Sequence, residues 1–179
     1  QVANFKIESE FPIEKMATAI NSQLKKSICV KRAEEVPLEF HSRYNCHSKT
    51  YNYVIDNSEQ GTAIYRNLTY HVSQKLNIKY FVGEHDFSSF KSSGTSSKSS
   101  VRTIYDAKVE KDKDKIIISL TGNGFLYNMV RIIAGTLLEV GLGNIKPEEI
   151  KDIIEAKNRQ KAGKTLPPQG LFLMNVEYN

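Results

Sequence analysis

Two periods run through the hydrophobic positions of this chain. Residues 2–8 alternate apolar and polar, which predicts a strand. Pro12 then opens a helix at a position where its missing N–H costs nothing. Ile13, Met16, Ala17, Ile20 and Leu24 follow at helical spacing and make one apolar stripe. Ile28-Cys29-Val30 begins a returning strand, so the first forty residues read β-α-β, with a boundary at 36–48. The β-branched and aromatic run 49–55 predicts a strand with Lys49, Tyr51, Tyr53 and Ile55 on one face. A turn over 57–62 and a strand over 66–72 follow, then a short helix over 78–83 capped by Asn77 and stopped by Gly83. The Ser-rich stretch 91–100 predicts a loop, and strands are expected at 101–110 and 115–121. Leu126 to Val140 is apolar nearly all round, which predicts a central helix. Pro147 starts another helix with Ile150, Ile153 and Ile154 inward, and 171–176 is a final strand. Hairpins mixed with helices give an α+β fold, with helices on one face of a largely antiparallel sheet.

Composition narrows the class. The 179 residues are 40% hydrophobic and 25% charged, enough apolar material for a core. Mean hydropathy is −0.42, and no apolar run reaches the ~18 residues of a membrane span. Two cysteines make no disulfide scaffold, and Cys29 in its apolar triplet is expected to be a buried, inert thiol; a reducing cytoplasm is the expected compartment. The net charge is +5, and all of it lies beyond residue 40, where 19 basic residues face 14 acidic ones. Such an excess suits a polyanionic partner and is also common in domains with none. A chain that begins with Gln1 and opens at once on a strand is expected to be a fragment of something longer.

Three clusters could carry chemistry: Phe40-His41-Ser42-Arg43-Tyr44, Lys49-Thr50-Tyr51, and Gly122-Asn123-Gly124-Phe125 leading to Arg131. Arg131 stands between Val130 and Ile132 in the apolar helix. Either it is buried and needs a carboxylate or phosphate partner, or it lies at a helix edge and snorkels. The two glycines at 122 and 124 mark either a tight turn or amides that receive an anion. His41, Cys46 and His47 match no zinc spacing, so no metal is expected. A nucleophile elbow is absent. His85-Asp86 reads as a turn or cap rather than a base pair.

Taken in order, these clusters resemble the tRNA pseudouridine synthase A family. The resemblance runs over essentially the whole chain, through Phe40 to Tyr44, Lys49-Thr50-Tyr51-Asn52-Tyr53, Gly83 to Phe90, Val101-Arg102-Thr103-Ile104 and Gly122 through Arg131. It implies an α+β, pseudouridine synthase-like fold with a mixed, mainly antiparallel sheet. Residues 1–40 would be the second half of an N-terminal α/β domain, part of a ferredoxin-like β-α-β unit. Residues 41–179 would be the C-terminal catalytic and tRNA-binding domain. Two departures stand out. The family's Gly-Arg-Thr-Asp loop, whose Asp is the nucleophile, does not occur in these 179 residues, and Gln1 to Phe5 looks like the segment just after it. The family's helix between Leu76 and Gly83 is also longer, by about two turns.

The implied activity is isomerisation of uridine to pseudouridine in the anticodon stem-loop of tRNA, without metal or cofactor. The bond to N1 breaks, the uracil rotates, and C5 joins the ribose. The base must first leave its stack. The resemblance makes Tyr51 the active-site tyrosine and Arg131 the partner of the catalytic Asp, with Phe125 and Leu126 walling the uracil pocket. It gives tRNA contacts to Phe40, His41, Ser42, Arg43 and Tyr44 and to Gly94, Thr95, Ser96, Ser97 and Lys98. A cytoplasmic homodimer is implied, with no membrane partner. The rival expectation is a non-catalytic RNA-binding module of the same fold.

Overall fold

Alternation builds the sheet. In the computed structural model, which describes residues 1–56, 78–94 and 97–178, Ile116, Ile118 and Leu120 are buried while Ile117, Ser119 and Thr121 between them are only half-buried. These residues belong to strand β4 (Lys115–Gly122). It pairs antiparallel with β3 (Val101–Asp112) on one side and β1 (Cys46–Asp56) on the other. β2 (Gly83–Asp86) adds to the outer edge of β3, and β5 (Leu171–Tyr178) to that of β1. Among the described residues the sheet order is therefore β2-β3-β4-β1-β5. The predicted α+β class with a mainly antiparallel sheet is what the structure has.

Two helices complete the core. In α2 (Met129–Gly141) every residue but Arg131 and Glu139 is buried. It starts three residues later than the apolar run suggested, because Asn128 adopts a left-handed backbone with φ 62°. In α3 (Glu149–Ala156), Ile150, Ile153 and Ile154 turn inward as expected.

The chain divides between Asn45 and Cys46 into two compact units. The first holds α1 (Ile13–Gln23), whose apolar stripe is half-buried. The two strands expected beside it are not formed. A strand needs a ladder partner, and the amide of Val30 instead donates to the Asn21 side chain at 2.7 Å, whose Nδ2 donates back to the Val30 carbonyl at 2.9 Å. Residues 2–8 likewise pair with no strand among the described residues, and Val2, Phe5 and Ile7 are exposed. So the β-α-β reading reduces to the helix. Cys29 is exposed, not buried, for the same reason: no sheet covers its segment. The helix predicted over 78–83 is a single 3₁₀ turn, Lys79–Phe81, and Gly83, at φ 110°, opens β2 rather than closing a helix. The turn over 57–62, the strand over 66–72 and the Asn77 cap lie outside the described residues.

One packing feature positions everything that follows. After a 3₁₀ turn at Arg159–Lys161, residues 162–167 run as a strap along α2. The Gly163 amide donates to Thr136 Oγ1 at 2.9 Å, and the Leu166 amide to the Arg131 carbonyl at 3.3 Å. A Cβ on Gly135 would lie 1.9 Å from the Lys164 carbonyl oxygen, and one on Gly163 only 2.6 Å from the Thr136 amide. Helix and strap touch backbone to backbone at two glycines. Intrinsic propensity would favour Gly135→Ala by ~1 kcal/mol. The overlap is with main chain that has nowhere to move, and overpacking of this kind costs about 1–3 kcal/mol or more. Gly135→Ala should therefore lower the stability measured by urea unfolding. A variant as stable as the parent would mean the strap is not seated at this distance.

Candidate active site

The strap presents two adjacent carbonyls to two predicted site elements. Tyr53, fully buried on β1, donates its hydroxyl to the Pro167 carbonyl at 2.8 Å. Arg131 donates Nε to the Leu166 carbonyl at 2.6 Å and Nη1 to Asn128 Oδ1 at 2.8 Å. Since the Arg131 carbonyl also accepts from the Leu166 amide, residue is locked to residue in both directions. Gly170 keeps the far end of the strap close, for a Cβ there would meet the Val54 carbonyl at 2.7 Å and the Tyr53 ring at 2.8 Å.

Arg131 is thus neither snorkelling nor ion-paired among the described residues. Both acceptors are neutral. A guanidinium has five N–H donors, and two are used here, leaving three of them for a further partner.

Tyr51 precedes Tyr53 by two residues on the same strand face and is half-buried. Its ring meets Phe125 edge to face, centroids 5.3 Å apart, a geometry worth about 0.5–1.5 kcal/mol beyond burial. Its hydroxyl has no hydrogen-bond partner among the described residues. Burial raises the Tyr51 phenol above its usual range, and the nearby Cys46 thiol adds to this. At neutral pH Tyr51 is a protonated donor. Leu126 differs from expectation: only 5% exposed, it belongs to the core and offers a base almost no surface. Phe125 is half-buried and packs against the edge of the core.

The Gly122-Asn123-Gly124 corner is a tight turn rather than an anion cradle. The Asn123 amide donates to the Thr103 carbonyl and its Oδ1 accepts from the Thr103 amide, both at 3.0 Å. α2 begins only at Met129, so these amides do not sit at a helix end. Asp86 accepts from the Ser88 amide and hydroxyl and pairs with Lys157 at 3.4 Å. Its pKa is lowered, chiefly by the Ser88 hydroxyl. It is a turn residue, not half of a base pair.

In the first unit, residues 40–45 form a turn closed on itself. The His41 amide donates to Asn45 Oδ1 at 2.6 Å, and His41 Nδ1 accepts from the Arg43 amide at 3.1 Å. Asn4 ties down both Phe40 and Ser42. Arg43 lies 5.8 Å from the centre of the Tyr44 ring, which is 75% exposed. In the second unit, Gly94 and Lys98 are exposed, Ser97 is half-buried, and Thr95 and Ser96 lie outside the described residues. Arg102 organises that loop: it donates to the Ser99 and Val101 carbonyls and to Ser97 Oγ. It makes no ion pair among the described residues, and burial lowers its pKa.

Comparison with known proteins now bears on this arrangement. The sequence profile of the family described as tRNA pseudouridine synthase matches residues 78–179, more than half of the chain. The chain belongs to the tRNA pseudouridine synthase family. Among its relatives, the protein named tRNA pseudouridine synthase A of Caldicellulosiruptor saccharolyticus is 51% identical over 99% of this chain and 76% of its own length. Those of Acetivibrio thermocellus and Clostridium acetobutylicum are 47% and 49% identical, over 99% and 98% of this chain and 76% and 75% of their own.

What sequence reading of this chain missed is the strap and Arg102. Gly163, Pro167-Pro168 and Gly170 mark the strap in hindsight, and Arg102 lies inside a motif already quoted for the family resemblance.

The buried tyrosine gives a direct test. Burial pushes Tyr53 up to about 12, with Arg131 pulling it back in part. An unfolded tyrosine titrates near 10. Between those values the unfolded chain has released a proton that the folded chain keeps, so stability is complete below pH 10 and falls as pH rises towards 12. Tyr53→Phe should flatten that fall. It should also cost about 1–2 kcal/mol at pH 8, because the Pro167 carbonyl loses its donor. An unchanged alkaline slope would assign the pH dependence to another group.

Proposed function

We propose that this chain is the larger part of an enzyme that converts uridine to pseudouridine in the anticodon stem-loop of tRNA. The observation that carries the reading is Arg131, a cation set into an apolar helix, held by two neutral oxygens and left with free donors. Such a group suits a carboxylate brought to it. The Gly-Arg-Thr-Asp nucleophile loop, which is not within these 179 residues, would supply one. Arg131 would hold that Asp ionised and aimed at the sugar.

The roles then divide. Tyr51 stacks on the extruded uracil, and its phenol takes part in moving the C5 proton. Phe125 supports the ring from the side. Arg43, Lys98 and Arg102 contact phosphates and sugars without reading bases. The enzyme works without metal or organic cofactor, as a cytoplasmic homodimer.

The separation of roles is testable on the full-length enzyme. Arg131→Lys keeps the charge but loses the planar fork, so single-turnover pseudouridine formation should fall while tRNA affinity holds. Arg43→Ala should do the reverse, weakening tRNA binding and reducing its salt slope by about 1. If Arg131→Lys loses affinity and Arg43→Ala does not, the two arginines are assigned the wrong way round.

Tyr51 separates chemistry from capture. Tyr51→Phe should bind tRNA normally and lose turnover, whereas Tyr51→Ala should also lose base capture, stacking being worth about 1–3 kcal/mol. Wild-type turnover in Tyr51→Phe would reduce Tyr51 to a stacking platform. The absence of pseudouridine in tRNA treated with the full-length protein would favour the non-catalytic RNA-binding module instead.

A further inference from the structure

Asn128 occupies an unusual place. Its backbone is left-handed, φ 62° and ψ 8°, which asparagine tolerates better than most residues. It stands at the N-cap of α2, where an asparagine oxygen ordinarily accepts from the free amides of the first turn. Here it makes no such bond. Oδ1 accepts from Arg131 Nη1 at 2.8 Å, and Nδ2 donates to Ser92 Oγ at 3.0 Å. Ser92 in turn donates its amide to the Tyr127 carbonyl at 3.1 Å. One side chain therefore gives up a helix cap, joins the 91–100 loop to the helix start, and fixes one edge of the guanidinium.

The choice of an amide matters. An aspartate in this place would offer the same acceptor but would neutralise the cation. A neutral oxygen orients the guanidinium and leaves its charge for another group. The Leu166 carbonyl does the same from the other side at Nε. We infer that Asn128 is a positioning residue for the isomerisation: it sets the direction of Arg131 without quenching its charge, and ties that direction to the 91–100 loop. The inference rests on the proposed role of Arg131.

The test compares single-turnover rate, tRNA dissociation constant and Tm in the full-length enzyme for three variants. Asn128→Gly keeps the left-handed backbone and removes both side-chain bonds. A role confined to the turn predicts no change in rate. A positioning role predicts at least a tenfold slower rate with tRNA affinity within twofold and the protein still fully folded, by its Tm, at the assay temperature. Asn128→Asp, nearly isosteric, should slow the rate at least as much, because its carboxylate competes for Arg131. Arg131→Lys is the control. A wild-type rate in both Asn128 variants, with Arg131→Lys impaired, overturns the inference and leaves the function reading standing. A wild-type rate in Arg131→Lys overturns the role assigned to Arg131 and the inference with it, whereas no pseudouridine formation by the parent enzyme overturns the function reading itself. A tenfold loss of tRNA affinity at unchanged rate in Asn128→Gly also overturns the inference, since Asn128 would then be an RNA contact.

Discussion

The backbone-to-backbone crossing of Gly135 and Gly163 is the contact on which the site depends. Without side chains at these two positions, the strap lies close enough to α2 for the Gly163 amide to reach Thr136 and the Leu166 amide to reach the Arg131 carbonyl. From there the Leu166 and Pro167 carbonyls fall on Arg131 and Tyr53 in succession. A glycine inside a helix gives up about 1 kcal/mol of helix stability relative to alanine. That loss is offset by what the crossing permits, because a buried polar group without a partner costs about 1–3 kcal/mol and a charged one more.

The same arrangement explains how a cation persists in an otherwise apolar helix. Neutral oxygens satisfy part of the guanidinium and hold its plane, yet cancel none of its charge. The two tyrosines of β1 are differentiated by one hydrogen bond. Tyr53 is fully buried and spends its hydroxyl on the strap, which makes it a structural pillar. Tyr51, two residues away on the same face, keeps its hydroxyl free among the described residues and leans its ring on Phe125. One strand thus supplies both a buried support and a half-buried ring with an unspent hydroxyl.

Much of this was legible in the sequence where the signal is periodic. The alternation along β1 and β4, the apolar run of α2 and the isoleucines of α3 led directly to the sheet and its covering helices. Arg131 stands out as a chemically odd residue in those patterns, whereas Tyr51 fits its strand and is marked only by the family resemblance. Failure came where structure depends on a partner distant in the chain. Residues 2–8 and 28–30 have strand-like sequence but no ladder, and Asn21 takes the hydrogen bonds of Val30. β2 is four residues long and too short to show a period. The strap has no period at all; it is defined by close approach, which a sequence records only as isolated glycines. The family resemblance put Leu126 at the pocket wall beside Phe125, but its side chain turns into the core, for neighbours in sequence need not share a face.

The Leu166 carbonyl holds Arg131 by its Nε–H, and Asn128 takes one outer N–H, leaving three outer donors for a further partner. The most direct measurement is solvent exchange of arginine Nε–H protons by ¹⁵N NMR at near-neutral pH, with the Arg131 signal assigned by its loss in Arg131→Lys. The account predicts that the Arg131 Nε–H exchanges far more slowly than those of exposed arginines such as Arg32 and Arg43. An Arg131 Nε–H that exchanges as fast as theirs would contradict it.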